Sequence, residues 1–267
     1  MYSPLGQFNQ FKFVWTSPEY IVIFLIMKKS LAILGGAGAI GRALTKAALS
    51  ENWHVTVLDL RKTVDTYPVP EGADVKYIDL FDEQLMASTV EALGNLDGFV
   101  NAAGFTSSMK PIQNIELDEI NEVIQGNLVG AFTVTKLILP KLKAKQGAIV
   151  NIASGLAQYA RPNFGPYAAA KAGLISLTKT LALEVAPDVR VNAVAPSAID
   201  TDFIRGGAGR NKADQLDIDF NMVAEMTPLK RAATPEDVVG PILFLLSDAS
   251  QYMTGQVLWV NGGSYMP

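Results

Sequence analysis

Of the eight tyrosines in this 267-residue chain, only Tyr167 has a lysine four positions later, Lys171. On a helix the two side chains lie on one face, a single turn apart. A free phenol titrates near about 10, too high for a base at neutral pH, and a neighbouring ammonium favours the phenolate. The pair therefore suits proton exchange with an alcohol or ketone oxygen. Taken alone, it reads better as a half-buried helix tyrosine beside an exposed lysine. A second constellation lies upstream, where Gly35-Gly36-Ala37-Gly38-Ala39-Ile40-Gly41 runs into the helical Arg42-Ala43-Leu44. Gly36, Gly38 and Gly41 spell G-x-G-x-x-G, a loop that brings backbone amides and a helix N-terminus close to a pyrophosphate. An ordinary strand-to-helix turn explains the glycines equally well until Asp59 is added. That residue ends the next strand-like run, 18 residues after Gly41, where a carboxylate accepts from an adenosine ribose and repels a 2′-phosphate. The expected cofactor is NAD, and Arg61 is the nearby cation that weakens the preference over NADP. Arg42-Ala43 stands where a nucleotide triphosphate loop needs Lys-Ser/Thr.

Composition removes most competing chemistries. The chain has no cysteine and one histidine, His54, which excludes disulfides, thiolate nucleophiles, zinc held by His or Cys clusters and nearly every histidine triad. No metal site is expected, and His54, beside Trp53 at a strand edge, is assigned no role. Lys+Arg 22 against Asp+Glu 26 gives a net charge of -4 without a basic cluster, so nucleic acid is not an expected partner.

These residues need elements to position them. From Leu31 onward short β-rich apolar runs alternate with longer helical ones, the pattern of βαβ units and a buried parallel sheet. Strands are expected at 31–34, 54–58, 74–78, 97–101, 147–152, 189–194 and 256–260. Helices are expected at about 40–51, 82–93, 115–143, 166–186 and 235–247, with Pro166 and Pro235 in first turns. The fold class is α/β: a Rossmann-type, doubly wound parallel sheet of about seven strands with helices on both faces, in one domain spanning 27–267. Residues 200–226, with Gly206, Gly207 and Gly209, break the rhythm and are expected as a mobile loop with short helices over the site.

The first 26 residues stand apart. They hold seven aromatics, in a chain that is 9% aromatic overall. The apolar run 20–27 is far shorter than the roughly 20 residues of a membrane span and lacks a small-residue cleavage site. The segment is read as an N-terminal extension outside the core, with a membrane-surface or oligomer-contact segment as the alternative. No membrane span is expected.

Further pieces give the chain a resemblance to the classical short-chain dehydrogenase/reductase family over residues 30–264. Asn101-Ala102-Ala103-Gly104 resembles its N-N-A-G element, and Asp79-Leu80 its adenine-contacting pair. Asn127 in Asn127-Leu128-Val129-Gly130 matches the helix asparagine that holds a relay water. Ser154 matches the serine that binds the substrate oxygen, and Tyr167 with Lys171 matches Y-x-x-x-K. Val191-Asn192-Ala193-Val194-Ala195-Pro196 is similar to the stretch before the nicotinamide-contacting loop, which places Ile199 at the cofactor. Tyr252-Met253-Thr254-Gly255-Gln256 with Val260-Asn261-Gly262-Gly263 is similar to the closing strand. Against the family's T-G-x-x-x-G-x-G, this chain has Leu34 for the threonine and Ala39 for the middle glycine. Ala102 replaces the second asparagine and Ser197 the glycine after Pro196.

The resemblance implies catalytic Asn127, Ser154, Tyr167 and Lys171. It implies a cofactor site of Gly35, Gly36, Gly38, Ile40, Gly41, Asp59, Asp79, Leu80, Asn101, Ala102, Ala103, Tyr167, Lys171 and Ile199. The expected activity is hydride transfer between NAD(H) and a small-molecule secondary alcohol or ketone, in a cytoplasmic homodimer or homotetramer. Two alternatives stand beside it: a 3-oxoacyl reductase working on a carrier protein, favouring NADPH and a basic docking face, and a dinucleotide-binding sensor without turnover. Side chains from 156–160 and 200–226 are expected to line the substrate pocket.

Overall fold

The computed structural model describes residues 11–17, 20–25, 28–106, 108–204 and 218–267. Two strands, β1 (Phe11–Ser17) and β2 (Tyr20–Leu25), pair antiparallel as a sheet of their own. The main sheet is built from β3 (Ser30–Leu34), β4 (His54–Asp59), β5 (Asp74–Tyr77), β6 (Gly98–Asn101), β7 (Ala148–Ile152), β8 (Arg190–Pro196) and β9 (Val257–Val260). It has seven strands in the order β5-β4-β3-β6-β7-β8-β9, and every pair is parallel. Central strands are apolar without alternation because both faces are covered: β6 and β7 are buried at every position, whereas the edge strands β5 and β9 have no buried residue.

One face carries α1 (Ala39–Ser50) and α8 (Glu236–Leu246), whose Leu44, Ala48, Val238 and Ile242 pack with Leu31, Ile33 and Val150. The other carries α3 (Glu83–Glu91), α5 (Gly130–Lys143) and α6 (Gly165–Val185), whose Met86, Val134, Ile138 and Leu181 pack with Leu34, Phe99 and Ile149. Short α2 (Arg61–Thr66), not expected from sequence, and α7 (Phe220–Met226), within the 200–226 segment expected to carry short helices, bury no residue.

The helix expected over 115–143 is divided. α4 (Leu117–Ile124) passes through a π-helical turn, Gln125–Val129, into α5. The extra residue in that turn accompanies tight packing: a Cβ on Gly126 would overlap the Phe105 ring, and one on Gly130 would stand 2.7 Å from Leu80 Cβ. The stretch Leu117–Lys143 is apolar and long enough to cross a bilayer, but Val123, Val134, Ile138 and Leu142 on it are spent on the core.

Candidate active site

The chain runs outward from β3 to β4 and β5, then returns to lay β6 on the other flank of β3. Such a reversal leaves a crevice at the carboxyl ends of the strands. Here it is a cleft of about 930 Å3. At one end β3 gives way to the glycine loop. Gly35 has φ +75°, and a Cβ there would stand 2.6 Å from the Ala103 amide nitrogen. A Cβ on Gly41, in the first turn of α1, would overlap the Gly35 carbonyl oxygen. The glycines thus let loop, helix and the end of β6 close on one another. Gly35, Gly38, Ile40 and Gly41 line the cleft, whereas Gly36 does not; it packs on Val57.

Asp59, the last residue of β4, braces this loop. Its Oδ2 accepts from the Ala37 N–H at 2.9 Å and its Oδ1 from the Leu60 N–H at 2.8 Å. Burial raises its pKa, and these amides, the Thr63 hydroxyl and the Gly38 amide pull it back. Asp59 lines the cleft while it braces the loop, which puts its carboxylate where a ribose hydroxyl could donate to it. Arg61 is stacked 4.0 Å over the Tyr77 ring and is not among the cleft-lining residues. Arg42, overlooked in the sequence, lines this end of the cleft, donates to the Ala37 carbonyl and lies 4.8 Å over the Tyr67 ring. Asp79, Leu80, Ala102, Ala103 and Ile199 also line the cleft. Asn101 lies wholly buried below it, its Oδ1 accepting from the Ala103 N–H at 3.3 Å while its Nδ2 has no hydrogen-bond partner among the described residues.

At the opposite end β7 stops at Ile152. Ser154 caps a 3-10 turn, Gly155–Ala157, its Oγ accepting from the Leu156 N–H at 3.2 Å. Pro166, in the first turn of α6, tolerates the missing donor, and one turn of this helix separates Tyr167 from Lys171. The lysine is not on a solvated face. Lys171 is 3% exposed, donates from Nζ to the Ile152 carbonyl at 2.9 Å, and sits 5.7 Å from the centre of the Tyr167 ring. Desolvation lowers its pKa from 10.5 to about 8. Ser154, Tyr167 and Lys171 all line the cleft.

Asn127 sits in the π turn and does not line the cleft. Its Nδ2 donates to the Phe105 and Val123 carbonyls, both at 2.9 Å, and its Oδ1 accepts from the Phe105 N–H at 3.2 Å. It pins the loop after β6: a Cβ on Gly104 would press on the Asn127 Oδ1 and stand 3.3 Å from the Lys171 Nζ. His54, left without a role, lies at the start of β4 with its Nε2 3.4 Å from Asp74 Oδ2.

Leu156 and Tyr159 line the reacting end, as do Ile199, Asp202, Phe203, Ile218 and Met222 from the irregular segment; its residues 205–217 lie outside the described residues. Tyr159 and Phe203 fall within the stretches expected to line the pocket, whereas sequence reasoning missed Tyr265. Phe203 lies 6.0 Å from the Tyr167 ring, and Tyr159 stacks on Tyr265 at 5.4 Å with an interplanar angle of 8°. These residues come from separate stretches of chain, and its aromatic type is the only sequence signal that Tyr265 carries.

Comparison with known proteins agrees with this geometry. The family model that matches, over residues 35–265, is described as Enoyl-(Acyl carrier protein) reductase. The 3-oxoacyl-(acyl-carrier-protein) reductase FabG of Thermotoga maritima is 34% identical over 247 residues, 88% of this chain and 97% of its own length. A solved short-chain dehydrogenase/reductase of glucose/ribitol dehydrogenase type from Brucella melitensis superposes with a TM-score of 0.79 at 30% identity, covering 90% of this chain and 100% of its own. A 3-ketoacyl-(acyl-carrier-protein) reductase from Brucella melitensis, solved with NADH, gives a TM-score of 0.79 at 26% identity, covering 89% of this chain and 98% of its own. With a parallel seven-stranded sheet, a glycine cradle and a Ser-Tyr-Lys cleft, this chain is an oxidoreductase and belongs to the short-chain dehydrogenase/reductase family.

Proposed function

We propose that the enzyme moves a hydride between NAD(H) and a secondary alcohol or its ketone, with Tyr167 as general acid and base. The observation that carries this reading is the burial of Lys171 beside Tyr167, in a cleft continuous with Asp59 and the glycine loop. A buried ammonium that makes no ion pair with a described carboxylate is costly, and a face with no chemistry has no use for it. The close approach at Gly35 and Gly41 and the cleft-lining carboxylate of Asp59 fit a dinucleotide. When bound, the nicotinamide supplies or accepts the hydride.

The remaining work belongs to side chains of this protein. Ser154 Oγ and the Tyr167 hydroxyl hold the carbonyl oxygen. Tyr167 donates its proton as that oxygen gains charge, and takes it back when the alcohol is oxidised. Lys171 favours the phenolate and, having given one N–H to Ile152, offers its other donors to the nicotinamide ribose. Asn127 fixes the Gly104–Phe105 loop against which Lys171 rests.

Asp59 supports NAD(H) over NADP(H) through charge; Arg61 is stacked away on Tyr77, and Arg42, which lines this end of the cleft, is the cation that opposes the preference. A 3-oxoacyl thioester is the substrate class favoured by the reductases to which the chain is similar. A carboxylate at position 59 does not by itself exclude that class, since a ketoacyl reductase of this fold was solved with NADH. Exposed Phe132 on α5 and Leu183 on α6 support a homodimer or homotetramer, and a cytoplasmic location follows from the same reading.

The test is a screen of secondary alcohols, ketones and acetoacetyl thioesters with both cofactors, followed as absorbance at the nicotinamide band. Tyr167→Phe removes one oxygen and leaves the ring to pack, so turnover on the best substrate should fall by roughly 10²–10⁴-fold with cofactor affinity kept. Near wild-type turnover in that variant would leave the fold without the proposed chemistry.

A further inference from the structure

Resting on the role of Ser154 just given, we propose that Tyr265 of the C-terminal tail is a positioning residue for the Ser154 turn, so that the tail completes the active site. The tail is built to hold this tyrosine. Asn261 Nδ2 donates to the Tyr265 carbonyl at 2.7 Å, its Oδ1 accepts from the Gly263 N–H at 2.9 Å, and its carbonyl accepts from the Ser264 N–H at 3.0 Å. The ring is gripped from two sides. It stacks on Tyr159 at 5.4 Å and meets Trp259 of β9 edge-on at 5.7 Å and 78°.

What the ring presses on is the residue after Ser154. A Cβ on Gly155 would overlap the Tyr265 hydroxyl and stand 3.0 Å from the ring atoms Cε1 and Cζ. Gly155 has no positive φ, so the absent side chain answers to this close approach and not to backbone strain. Among the described residues the Ser154 side chain has one hydrogen bond, from the Leu156 N–H of the turn it caps. Tyr265 thus rests on Gly155, and Tyr159, whose N–H donates to the Gly155 carbonyl at 2.8 Å, stacks on Tyr265. The Tyr265 oxygen is buried and has no hydrogen-bond partner among the described residues. The Asn261 amide near it is spent on the backbone carbonyl. A buried hydroxyl without a partner is unfavourable, and a ring kept at that cost against the Ser154 turn is explained by the fit it provides.

The experiment reads steady-state reduction of acetoacetyl-N-acetylcysteamine thioester with NADH, cofactor affinity by fluorescence, and amide hydrogen exchange at Leu156. Tyr265→Leu removes the stack, and should lower kcat about 10- to 100-fold, the effect of a displacement near 1 Å, with cofactor affinity unchanged. Tyr265→Phe, which keeps the ring, should stay within about threefold of wild type. Gly155→Ala should lose activity and recover part of it when combined with Tyr265→Phe, because the overlapping oxygen is gone. In a Ser154→Ala background Tyr265→Leu should cost little more, since its action runs through the serine.

Full additivity in that background would make Tyr265 a direct substrate contact and overturn the proposal, as would wild-type kcat in Tyr265→Leu. Undiminished activity in Ser154→Ala would instead remove the serine role on which the proposal stands. Hydrogen exchange decides the matter independently of turnover: Leu156 should lose protection in Tyr265→Leu while the amides of β7 do not, and unchanged protection at Leu156 refutes the clamp.

Discussion

Replacing Lys171 by methionine should stabilise the cofactor-free protein while disabling it. The lysine is fully desolvated and its pKa falls from 10.5 to about 8, a difference worth about 3 kcal/mol between the two protonation states. The sign follows from proton counting. Between pH 8 and 10.5 the unfolded chain binds more protons at this site than the native one, so stability rises with pH across that window. Below pH 8 both states are protonated and the full cost is present; above 10.5 both are neutral and it is gone. Methionine fills a similar volume without charge, but orphans the Ile152 carbonyl that Lys171 now satisfies, a loss of about 1–2 kcal/mol. The net gain at pH 7.5 is then about 1–2 kcal/mol, or roughly 2–6 °C in Tm for a chain of this size. Calorimetry of both apo proteins from pH 7.5 to 10.5 reads it, and their difference cancels the tyrosines that titrate in the same range. The Met variant should lead at pH 7.5 and lose its lead toward pH 10.5. A lower Tm for Lys171→Met at pH 7.5, or a gap that ignores pH, would show that the buried ammonium does not carry this cost.

Asp59→Ala should weaken NADH binding and tighten NADPH binding, and should cost about 1–3 kcal/mol of stability by orphaning the amides of Ala37 and Leu60; titration of wild type and variant with both cofactors tests it, and a wild type that binds the two equally refutes the charge argument. Gly41→Ala drives a methyl into the Gly35 carbonyl and within 2.5 Å of Gly36 Cα, so it should lower stability by about 1–3 kcal/mol and raise the cofactor dissociation constant at least tenfold; calorimetry and fluorescence titration read both. A chain starting at Met27 should keep the fold and turnover of the full chain, because among the described residues β1 and β2 pair with each other and not with the main sheet; loss of native assembly in size-exclusion chromatography would make the aromatic segment an interface.

The strands were legible because each central one is an uninterrupted apolar run bounded by turn residues, and their observed limits differ from the expected ones by one or two residues. α2 left no signal and α7 only the general expectation of short helices in 200–226: with no buried position, neither imposes a 3.6-residue pattern on the sequence. The π turn was hidden for the opposite reason. Its apolar pattern continues across Gln125–Val129, and only the contact between Gly126 and Phe105, 21 residues apart in sequence, shows where the helix must adjust. β1 carried a readable cue in Phe11-Lys12-Phe13, an alternation of apolar and polar residues, which the unusual aromatic content overshadowed. At the site, Tyr167 and Lys171 were found by spacing because both lie on one helix. The burial that distinguishes them from an ordinary surface pair comes from Gly104 and Ile152, on other elements. Tyr265, Tyr159 and Phe203 meet only through the fold, and no local pattern announces them.

Most of the unfavourable local terms fall in one region; among the described residues Thr45 Oγ1, buried in α1 without a partner, lies apart from them. The desolvated ammonium of Lys171, the unpartnered Nδ2 of Asn101 and the buried hydroxyl of Tyr265 all border the ends of β6 and β7 or the turn that follows them. Each breaks a rule that a sequence optimised for stability alone would keep. The two apolar clusters that sandwich the sheet contain no comparable charge, and Phe99, Leu31 and Ile149 among their members are fully buried. Core packing therefore holds the strand ends in place against these costs, and the strand ends hold the groups in a state that solvent would relax. That arrangement predicts opposite consequences for two kinds of change. Truncating Phe99 should lower stability by about 3–5 kcal/mol and activity only as folding is lost, whereas Lys171→Met should raise stability and abolish proton transfer.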